Sequence, residues 1–266
     1  MNYRGMTALV TGGSAGLGEA FARQLAAQGA NLVLVARSED KLNSLADTLR
    51  QQARVEVTVL RADLSSAESV DQLLTEVRNR GIRVELLVNN AGIGLFENFI
   101  DTPLPPQMDQ INVNVLALVR LTHALLSGMI AARKDGVINI ASNAAFQPLA
   151  GADIYAASKA FVLFFSEALA LELENTGVHI LTACPGPIAT QFFANMNPKL
   201  QAREMDQPAP IVSEILHAFD KGKRVVIPGR LLVRLGTLGA RLLPRNVILR
   251  LAASSVRQLN QKTREL

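Results

Sequence analysis

Strand-like and helix-like segments alternate regularly along most of this chain. The strand candidates are almost continuous in Val, Ile and Leu, which is typical of strands that are buried on both faces of a sheet. Repeated strand–helix units predict a parallel, doubly wound sheet with right-handed crossovers. We therefore predict an α/β fold with strands at 7–11, 31–36, 55–61, 85–89, 137–142, 178–184 and 224–227.

Segments with helical periodicity lie between these strands, and two of them are long. The predicted helices cover 16–28, 39–52, 67–80, 106–133, 153–175 and 211–221. The segment 186–210 contains four prolines and breaks the pattern, so we expect a mobile loop there. A chain of 266 residues is long enough for one large domain.

The composition favours a cytoplasmic globular protein. Cys184 is the only cysteine, which rules out an intramolecular disulfide and disfavours a cysteine-based metal site, so we expect no metal. The first residues run into a strand-like segment without a visible secretory signal. No uncharged apolar stretch reaches the roughly 20 residues that are needed to span a bilayer.

A glycine-rich turn follows the first predicted strand and opens the first predicted helix, with the sequence Thr11-Gly12-Gly13-Ser14-Ala15-Gly16-Leu17-Gly18. Glycines let the backbone turn tightly and approach a pyrophosphate, which the positive N-terminus of the helix attracts. The turn therefore predicts a dinucleotide site, with an ordinary tight strand–helix turn as the alternative. Its spacing is Gly-x-x-x-Gly-x-Gly and not the Gly-x-Gly-x-x-Gly of many dinucleotide folds.

The second predicted strand ends at Ala36, where NAD-specific sites commonly place a carboxylate for the ribose 2′-hydroxyl. Here Arg37 and Ser38 follow instead. Arg37 offers a charged, planar fork for a 2′-phosphate, and Ser38 offers either a hydrogen bond to it or an N-cap for the next helix. We predict NADP(H) as the preferred cofactor, with NAD(H) as the alternative.

Tyr155 and Lys159 are four residues apart in a predicted helix, so their side chains share one face. A fixed positive charge beside a phenol stabilises the phenolate and lowers its pKa from the usual value near ~10. The pair is a candidate for proton transfer at physiological pH. A solvated surface pair is the alternative.

Four motifs together resemble those of the short-chain dehydrogenase/reductase family over about residues 5–228. They are the glycine turn at 11–18, the run Asn89-Asn90-Ala91-Gly92, the set of Asn114, Ser142, Tyr155 and Lys159, and the run Pro185-Gly186-Pro187-Ile188-Ala189-Thr190. The resemblance implies a Rossmann-like sheet of about seven strands in the order 3-2-1-4-5-6-7. It also implies a Rossmann domain at 1–228, and a homodimer or homotetramer formed through the long helices 106–133 and 153–175.

The resemblance implies a role for each member of the catalytic set. Tyr155 would protonate a carbonyl oxygen as hydride arrives from the nicotinamide, and Lys159 would lower the pKa of Tyr155 and hold the nicotinamide ribose. Ser142 would donate a hydrogen bond to the substrate oxygen. Asn114 would open its helix locally to hold a water that links Lys159 to solvent.

The resemblance also implies a set of cofactor-binding residues. Asp63 would bind the adenine, with capping of the next helix as its alternative role, and Ile188 and Thr190 would meet the nicotinamide carboxamide. The implied residues are Gly12, Ser14, Ala15, Gly16, Leu17, Gly18, Arg37, Ser38, Asp63, Leu64, Asn90, Ala91, Gly92, Tyr155, Lys159, Pro185, Gly186, Ile188 and Thr190.

Substrate choice is expected to depend on the segments 92–99, 143–149 and 191–196. These segments contain no Lys or Arg that could bind a carboxylate or phosphate, so we predict a carbonyl on an apolar body. Core packing is the alternative role for each aromatic residue. The predicted substrate-binding residues are Ser142, Phe96, Phe146, Phe192 and Phe193, with Met196 beside them.

The C-terminal segment 229–266 reads as a basic amphipathic extension, with two predicted helices separated by Pro244. Residues 221–266 contain eleven basic residues and one acid, a net charge of +10, whereas the remainder has 16 basic and 22 acidic residues, a net charge of −6. The extension either packs over the substrate cleft or a subunit interface, or lies on an anionic membrane. Nucleic-acid binding is disfavoured because no aromatic residues are interleaved with the basic ones.

The sequence therefore predicts an NADP(H)-dependent oxidoreductase that interconverts a small-molecule ketone or aldehyde and its alcohol, with reduction as the favoured direction. The alternative is a catalytically silent NADP(H)-binding sensor or interaction protein that keeps this fold. The intact set of Asn114, Ser142, Tyr155 and Lys159 argues against the alternative, because a binding module needs no proton relay.

Overall fold

The computed structural model describes residues 2–133, 136–192, 205–239, 244 and 246–249. Within them, seven parallel strands form one sheet in the order β3-β2-β1-β4-β5-β6-β7, which confirms the predicted order. The strands are β1 (Thr7–Thr11), β2 (Asn31–Ala36), β3 (Val57–Arg61), β4 (Leu86–Asn89), β5 (Gly136–Ile140), β6 (His179–Ala183) and β7 (Val225–Val226).

Helices cover both faces of the sheet. They are α1 (Gly16–Ala27), α2 (Glu39–Ala53), α3 (Ala67–Asn79), α4 (Leu104–Ile111), α5 (Leu118–Ala132), α6 (Asp153–Glu172), α7 (Pro208–Asp220) and α8 (Leu231–Gly239). Short 3-10 turns at Phe99–Asp101 and Asn143–Phe146 follow β4 and β5. Residues 246–249 are also helical.

Two apolar clusters explain why the strands lack alternation between polar and apolar residues. In β1, Val10 belongs to a cluster with α1, α2 and α7, while its neighbour Leu9 belongs to a cluster with α3 and α5 on the other face. Successive strand side chains point to opposite faces, so both must be apolar when helices cover both. The sheet is therefore buried on both sides and fixes the positions of the strand ends.

The structure departs from the predicted helices at two places. The predicted helix at 106–133 is interrupted by a π-helical segment, Asn112–Ala117, between α4 and α5. The predicted helix at 211–221 instead begins at Pro208. Proline is tolerated there because the N–H groups of the first helical turn have no helical partner, so the missing N–H of proline costs no hydrogen bond. Of the predicted mobile loop at 186–210, residues 193–204 lie outside the described residues.

Two long helical segments are apolar enough to be compared with membrane spans, although each contains charged residues. The segment 104–132 and helix α6 are both long and apolar enough to cross a bilayer by length and composition alone. In this fold, each packs one side against neighbouring elements and leaves the other exposed. Helix α6 buries Tyr155, Ser158 and Lys159 on its packed side, which places these polar groups inside the fold.

Candidate active site

Two adjoining clefts open at the carboxyl ends of β1, β4 and their neighbouring strands. One, of about 180 Å³, is lined by Tyr155 and Lys159, and the other, of about 190 Å³, is lined by Arg37 and Asp63. Three residues line both clefts: Gly12, Ala91 and Gly92. Ligands bind at this edge of doubly wound sheets, and a groove in two parts suits the two halves of a dinucleotide.

The turn after β1 presents the N-terminus of α1 to this groove. Helix α1 begins at Gly16 without a side-chain cap, so its first N–H groups lack helical partners and form an anion site. Gly16 has φ +59°, and an added Cβ would lie 3.0 Å from Thr190 Cγ2, so a larger residue would be strained and crowded. Ser14, Ala15 and Leu17 also line the groove.

Gly18 lines neither cleft, unlike the other predicted glycines. An added Cβ there would overlap the carbonyl oxygen of Gly12 and lie 2.7 Å from Asn90 Nδ2. Asn90 donates a hydrogen bond from Nδ2 to the Thr11 carbonyl at 2.8 Å, and its N–H donates to Thr11 Oγ1 at 3.0 Å. Gly18 thus lets α1 pack closely on the turn, and Asn90 fixes the turn to the end of β4.

The second cleft brings Arg37 and Ser38 together with Asp63 and Leu64. Ser38 is the N-cap residue of α2, but its side chain makes no capping hydrogen bond. Its hydroxyl and the exposed Arg37 guanidinium can therefore serve a bound anion. This is the position that the sequence assigned to the ribose 2′-phosphate.

Asp63 does not cap the helix that follows it. Helix α3 is capped by Ser66, whose Oγ accepts a hydrogen bond from the Ser69 N–H at 3.2 Å. Asp63 Oδ1 instead accepts from the Ser65 N–H at 3.0 Å and the Ser65 hydroxyl at 2.8 Å. The Ser65 backbone hydrogen bond lowers the pKa of Asp63 most, and the nearby Arg37 charge lowers it further. The carboxylate is thus held ionised at the edge of the cleft.

Tyr155 lies in the first cleft between two phenylalanine rings, with ring centroids 5.5 Å from Phe96 and 5.9 Å from Phe192. Ser142 also lines this cleft, and its Oγ accepts a hydrogen bond from the Ala144 N–H at 3.1 Å. Burial raises the pKa of Tyr155, and hydrogen bonding by Ser142 offsets only part of this rise. The expected lowering toward neutrality is therefore wrong for this structure, and the phenol is held protonated.

Lys159 is buried beside Tyr155, with its side chain on the same face of α6. Its ammonium donates to the Ile140 carbonyl at 2.9 Å and lies 5.9 Å from the centroid of the Tyr155 ring. Burial lowers the pKa of Lys159 to about 8, while Cys184 acts in the opposite direction. The surface-pair alternative is excluded, because both side chains are buried.

Asn114 lies within the π-helical segment, where the regular helical hydrogen bonding is broken. It donates from Nδ2 to the Ile93 carbonyl at 2.9 Å and to Ser158 Oγ at 3.0 Å, and its Oδ1 accepts from the Ile93 N–H at 2.9 Å. A Cβ on Gly92 would lie 3.3 Å from both Asn114 Oδ1 and Lys159 Nζ. The two groups therefore flank the same glycine.

The predicted apolar residues do not all lie in the cleft. Phe96, Phe192 and Leu149 pack around Tyr155, whereas Phe146 packs in a separate cluster with Leu163 and its neighbours. Phe146 turns away because the 3-10 turn after β5 reverses the chain within four residues. Phe193 and Met196 lie outside the described residues.

Several groups in the two clefts were missed by sequence reasoning. The Ile140 carbonyl belongs to the first cleft, and Ser65, Asp109 and Val113 belong to the second. Asp109 and Val113 are four residues apart, so helical spacing alone places them on one face. The Ile140 carbonyl carries no residue-type signal, because any residue supplies a backbone oxygen.

Known proteins resemble this chain in sequence and in fold. A family model described as short chain dehydrogenase matches residues 6–201. The very-long-chain 3-oxoacyl-CoA reductase of Mus musculus is 34% identical over 212 residues, which are 77% of this chain. This chain spans 65% of the length of that relative.

Two further relatives come from bacteria. Sulfoacetaldehyde reductase 2 of Chromohalobacter salexigens is 37% identical over 186 residues, which cover 69% of this chain and 73% of the relative. The structure of a short-chain dehydrogenase from Sphingobium yanoikuyae in complex with NADPH superposes with a TM-score of 0.80 at 32% identity, covering 89% of this chain and 94% of that one. The named substrates of the relatives differ greatly, so substrate choice must be argued from this chain's own residues.

Proposed function

We propose that this chain, which belongs to the short-chain dehydrogenase family, reduces a ketone or aldehyde to its alcohol with NADPH. The observation that carries the proposal is the buried group of Tyr155, Ser142 and Lys159 in the cleft that opens from the glycine turn. A protonated phenol can donate a proton to a carbonyl oxygen, and a serine hydroxyl in the same cleft can stabilise the charge that develops there.

The raised pKa of Tyr155 supports reduction as the favoured direction. A carbonyl reductase needs a proton donor at the oxygen, and a buried phenol whose pKa is raised stays protonated through neutral pH. NADPH supplies the hydride when it is bound. Oxidation of the alcohol would require Tyr155 to act as a base, which burial disfavours.

NADP(H) is the proposed cofactor, and NAD(H) the weaker alternative. Arg37 and Ser38 line the second cleft, where a 2′-phosphate would lie, and the Sphingobium yanoikuyae structure contains NADPH. An exposed guanidinium can bind a phosphate in bidentate fashion, whereas it gains little from a ribose hydroxyl.

The reaction proposed here takes place in the cytoplasm, where we place the protein.

The proposed substrate carries its carbonyl on an apolar body. Phe96, Leu149 and Phe192 surround Tyr155, and Lys159 is the one cation among the described residues that line the first cleft. Lys159 already donates to a backbone carbonyl and lies behind the tyrosine ring. An anionic group on the substrate would therefore find no counter-charge in this part of the cleft.

A carbonyl panel with NADPH and NADH tests the proposal. Absorbance of the reduced cofactor is followed with apolar ketones, apolar aldehydes and keto acids, and the account predicts turnover of apolar carbonyls with NADPH. Arg37→Ala should lower kcat/KM for NADPH by about ten- to a hundredfold and leave NADH use nearly unchanged. Preference for keto acids would remove the apolar substrate, and equal loss with both cofactors would remove the role of Arg37.

A further inference from the structure

Helix α8 exposes its leucine-rich face to water, whereas an amphipathic helix of a soluble protein usually buries its apolar face. Val233 and Thr237 lie on its packed side, and Thr237 is only 6% exposed. Its leucines lie on the other side with high exposed fractions: Leu231 67%, Leu232 81%, Leu235 56% and Leu238 49%. The spacing i, i+1, i+4 and i+7 places all four leucines on one continuous helix face.

The packed side of α8 is anchored by specific contacts, so its leucine face has a fixed direction. Arg234 forms an ion pair with Glu214 on α7, and Arg230 Nε lies 3.3 Å from Asp206 Oδ1. A Cβ added to Gly186 would lie 2.9 Å from Val233 Cγ1, so this helix packs directly against the nicotinamide end of the groove. Rolling the leucines inward would break all three contacts.

Exposure of four leucines on one helix is unfavourable in water. Burial of a leucine side chain stabilises by about 1.5–3 kcal/mol, so an apolar surface that covers this face would be strongly favoured. Single exposed apolar residues are ordinary, but a contiguous patch marks an interaction surface. We therefore expect the leucine face of α8 to bind an apolar partner.

The sequence that follows α8 indicates the charge of that partner. Residues 240–266 contain six basic residues and one acid, Glu265, which gives a net charge of +5. Apolar residues continue among these charges, and Val247 and Leu249 are 42% and 39% exposed in the described helical turn at 246–249. An apolar surface flanked by anionic groups complements both properties.

We propose that the leucine face of α8 binds the surface of an anionic phospholipid bilayer. The leucines enter the boundary between headgroups and acyl chains, and the net positive charge of the sequence that follows favours an anionic surface. Because the packed side of α8 contacts Gly186, this places the nicotinamide end of the groove near the membrane surface. Membrane binding is a property of this surface and does not depend on the proposed reaction.

Vesicle co-sedimentation of the full chain tests the proposal. Wild-type protein should bind vesicles that contain about 30% phosphatidylglycerol in phosphatidylcholine, and should bind pure phosphatidylcholine much more weakly. About 0.5 M NaCl should weaken the binding to the anionic vesicles, because it screens the headgroup charge. The double variant Leu232→Ser/Leu235→Ser should bind the anionic vesicles at least about tenfold more weakly.

A matched control distinguishes vesicle binding through the leucine face of α8 from non-specific adsorption through any exposed apolar residue. Ile100→Ser removes an isoleucine that is 90% exposed in the turn before α4, outside the apolar faces of the long helices, and should leave vesicle binding unchanged. Circular dichroism and light scattering on each variant report folding and oligomer mass. Failure of wild type to bind anionic vesicles would overturn the proposal. So would a drop in oligomer mass for Leu232→Ser/Leu235→Ser, because the leucine face would then be a subunit interface.

Discussion

Lys159 shows how far a residue's chemistry depends on burial that spacing alone cannot reveal. The Tyr-x-x-x-Lys spacing places the two side chains on one face of a helix, and the structure has them there. The spacing does not say that α6 buries that face, so it predicts a lowered tyrosine pKa where burial raises it. The same burial lowers the pKa of Lys159 to about 8, from its ordinary value of 10.5.

This shift predicts a stability profile that Lys159→Met should remove. Below pH 8 the folded protein must bury a charged lysine, whereas above pH 10.5 the lysine is neutral in both folded and unfolded states. Between these values the unfolded state binds more protons, so the free energy of unfolding rises with pH by up to about 1.4 kcal/mol per pH unit. We expect the difference between wild type and Lys159→Met to rise by about 3 kcal/mol over this range.

Guanidinium unfolding of both proteins at several values from pH 7 to pH 10.5 measures this difference. Lys221→Met, which removes an exposed lysine at the end of α7, serves as the control and should give a flat difference. Tyrosine titration cancels in the comparison because every protein keeps Tyr3 and Tyr155. A flat profile for Lys159→Met as well would show that Lys159 is not held in a desolvated site.

The periodicity of the sequence predicts which segments form strands and helices. It does not predict local features that depend on individual side-chain contacts. The strands and their order follow from apolar runs and the regular alternation with helices, and strand ends differ by a few residues. The interruption at Asn112–Ala117 cannot be read from periodicity, and only the family resemblance, which implies that Asn114 opens its helix locally, points to it; Asn114 there bonds to Ile93 and Ser158. Phe146 and Leu149 likewise lie in one loop, and only the turn geometry decides which of them reaches Tyr155.

Asp206 links the C-terminal extension to the segment 187–190, which is predicted to meet the nicotinamide. Its N–H donates to the Pro187 carbonyl at 3.1 Å, and its carbonyl accepts from the Ala189 N–H at 2.9 Å. Its carboxylate forms an ion pair with the Arg230 guanidinium and accepts a hydrogen bond from the Arg230 backbone N–H at 3.4 Å. The first turn of the extension thus holds the backbone next to Ile188, one of the residues predicted to meet the nicotinamide.

Loss of this contact should affect the site more than the stability of the fold. Arg230→Ala should lower kcat/KM for NADPH about three- to tenfold, because the segment 187–190 loses its charge-assisted support. Arg224→Ala is the matched control, since Arg224 also forms a surface ion pair, with Glu174, but far from the clefts. Steady-state kinetics and thermal unfolding of both variants make the comparison. Equal kinetics for the two variants would show that Arg230 only adds stability.

The whole molecule leaves apolar side chains exposed on its long helices, which supports the expected homo-oligomer. Phe164 on α6 is 69% exposed and Leu116, next to α5, is 48% exposed. Helices with one packed and one exposed apolar side are suited to packing against a second copy. We propose that these faces, and not the leucine face of α8, form the subunit contact.

Light scattering after gel filtration tests this assignment. Wild type should have the mass of a dimer or tetramer, and Phe164→Glu should lower it because a carboxylate is costly to bury in an apolar interface. Ile100→Glu, at a site that is 90% exposed in the turn before α4, should keep the wild-type mass. A monomeric wild type would contradict the assignment, as would an unchanged mass for Phe164→Glu.

If the chain is a catalyst whose proton donor is Tyr155, as we propose, the variant Tyr155→Phe should lose most of its turnover. The substitution removes one hydroxyl and keeps the ring between Phe96 and Phe192. Turnover with the best carbonyl substrate should fall by about 10²- to 10⁴-fold, while NADPH affinity measured by fluorescence titration should change less than about threefold. Retention of near wild-type turnover, with NADPH bound normally, would contradict the account.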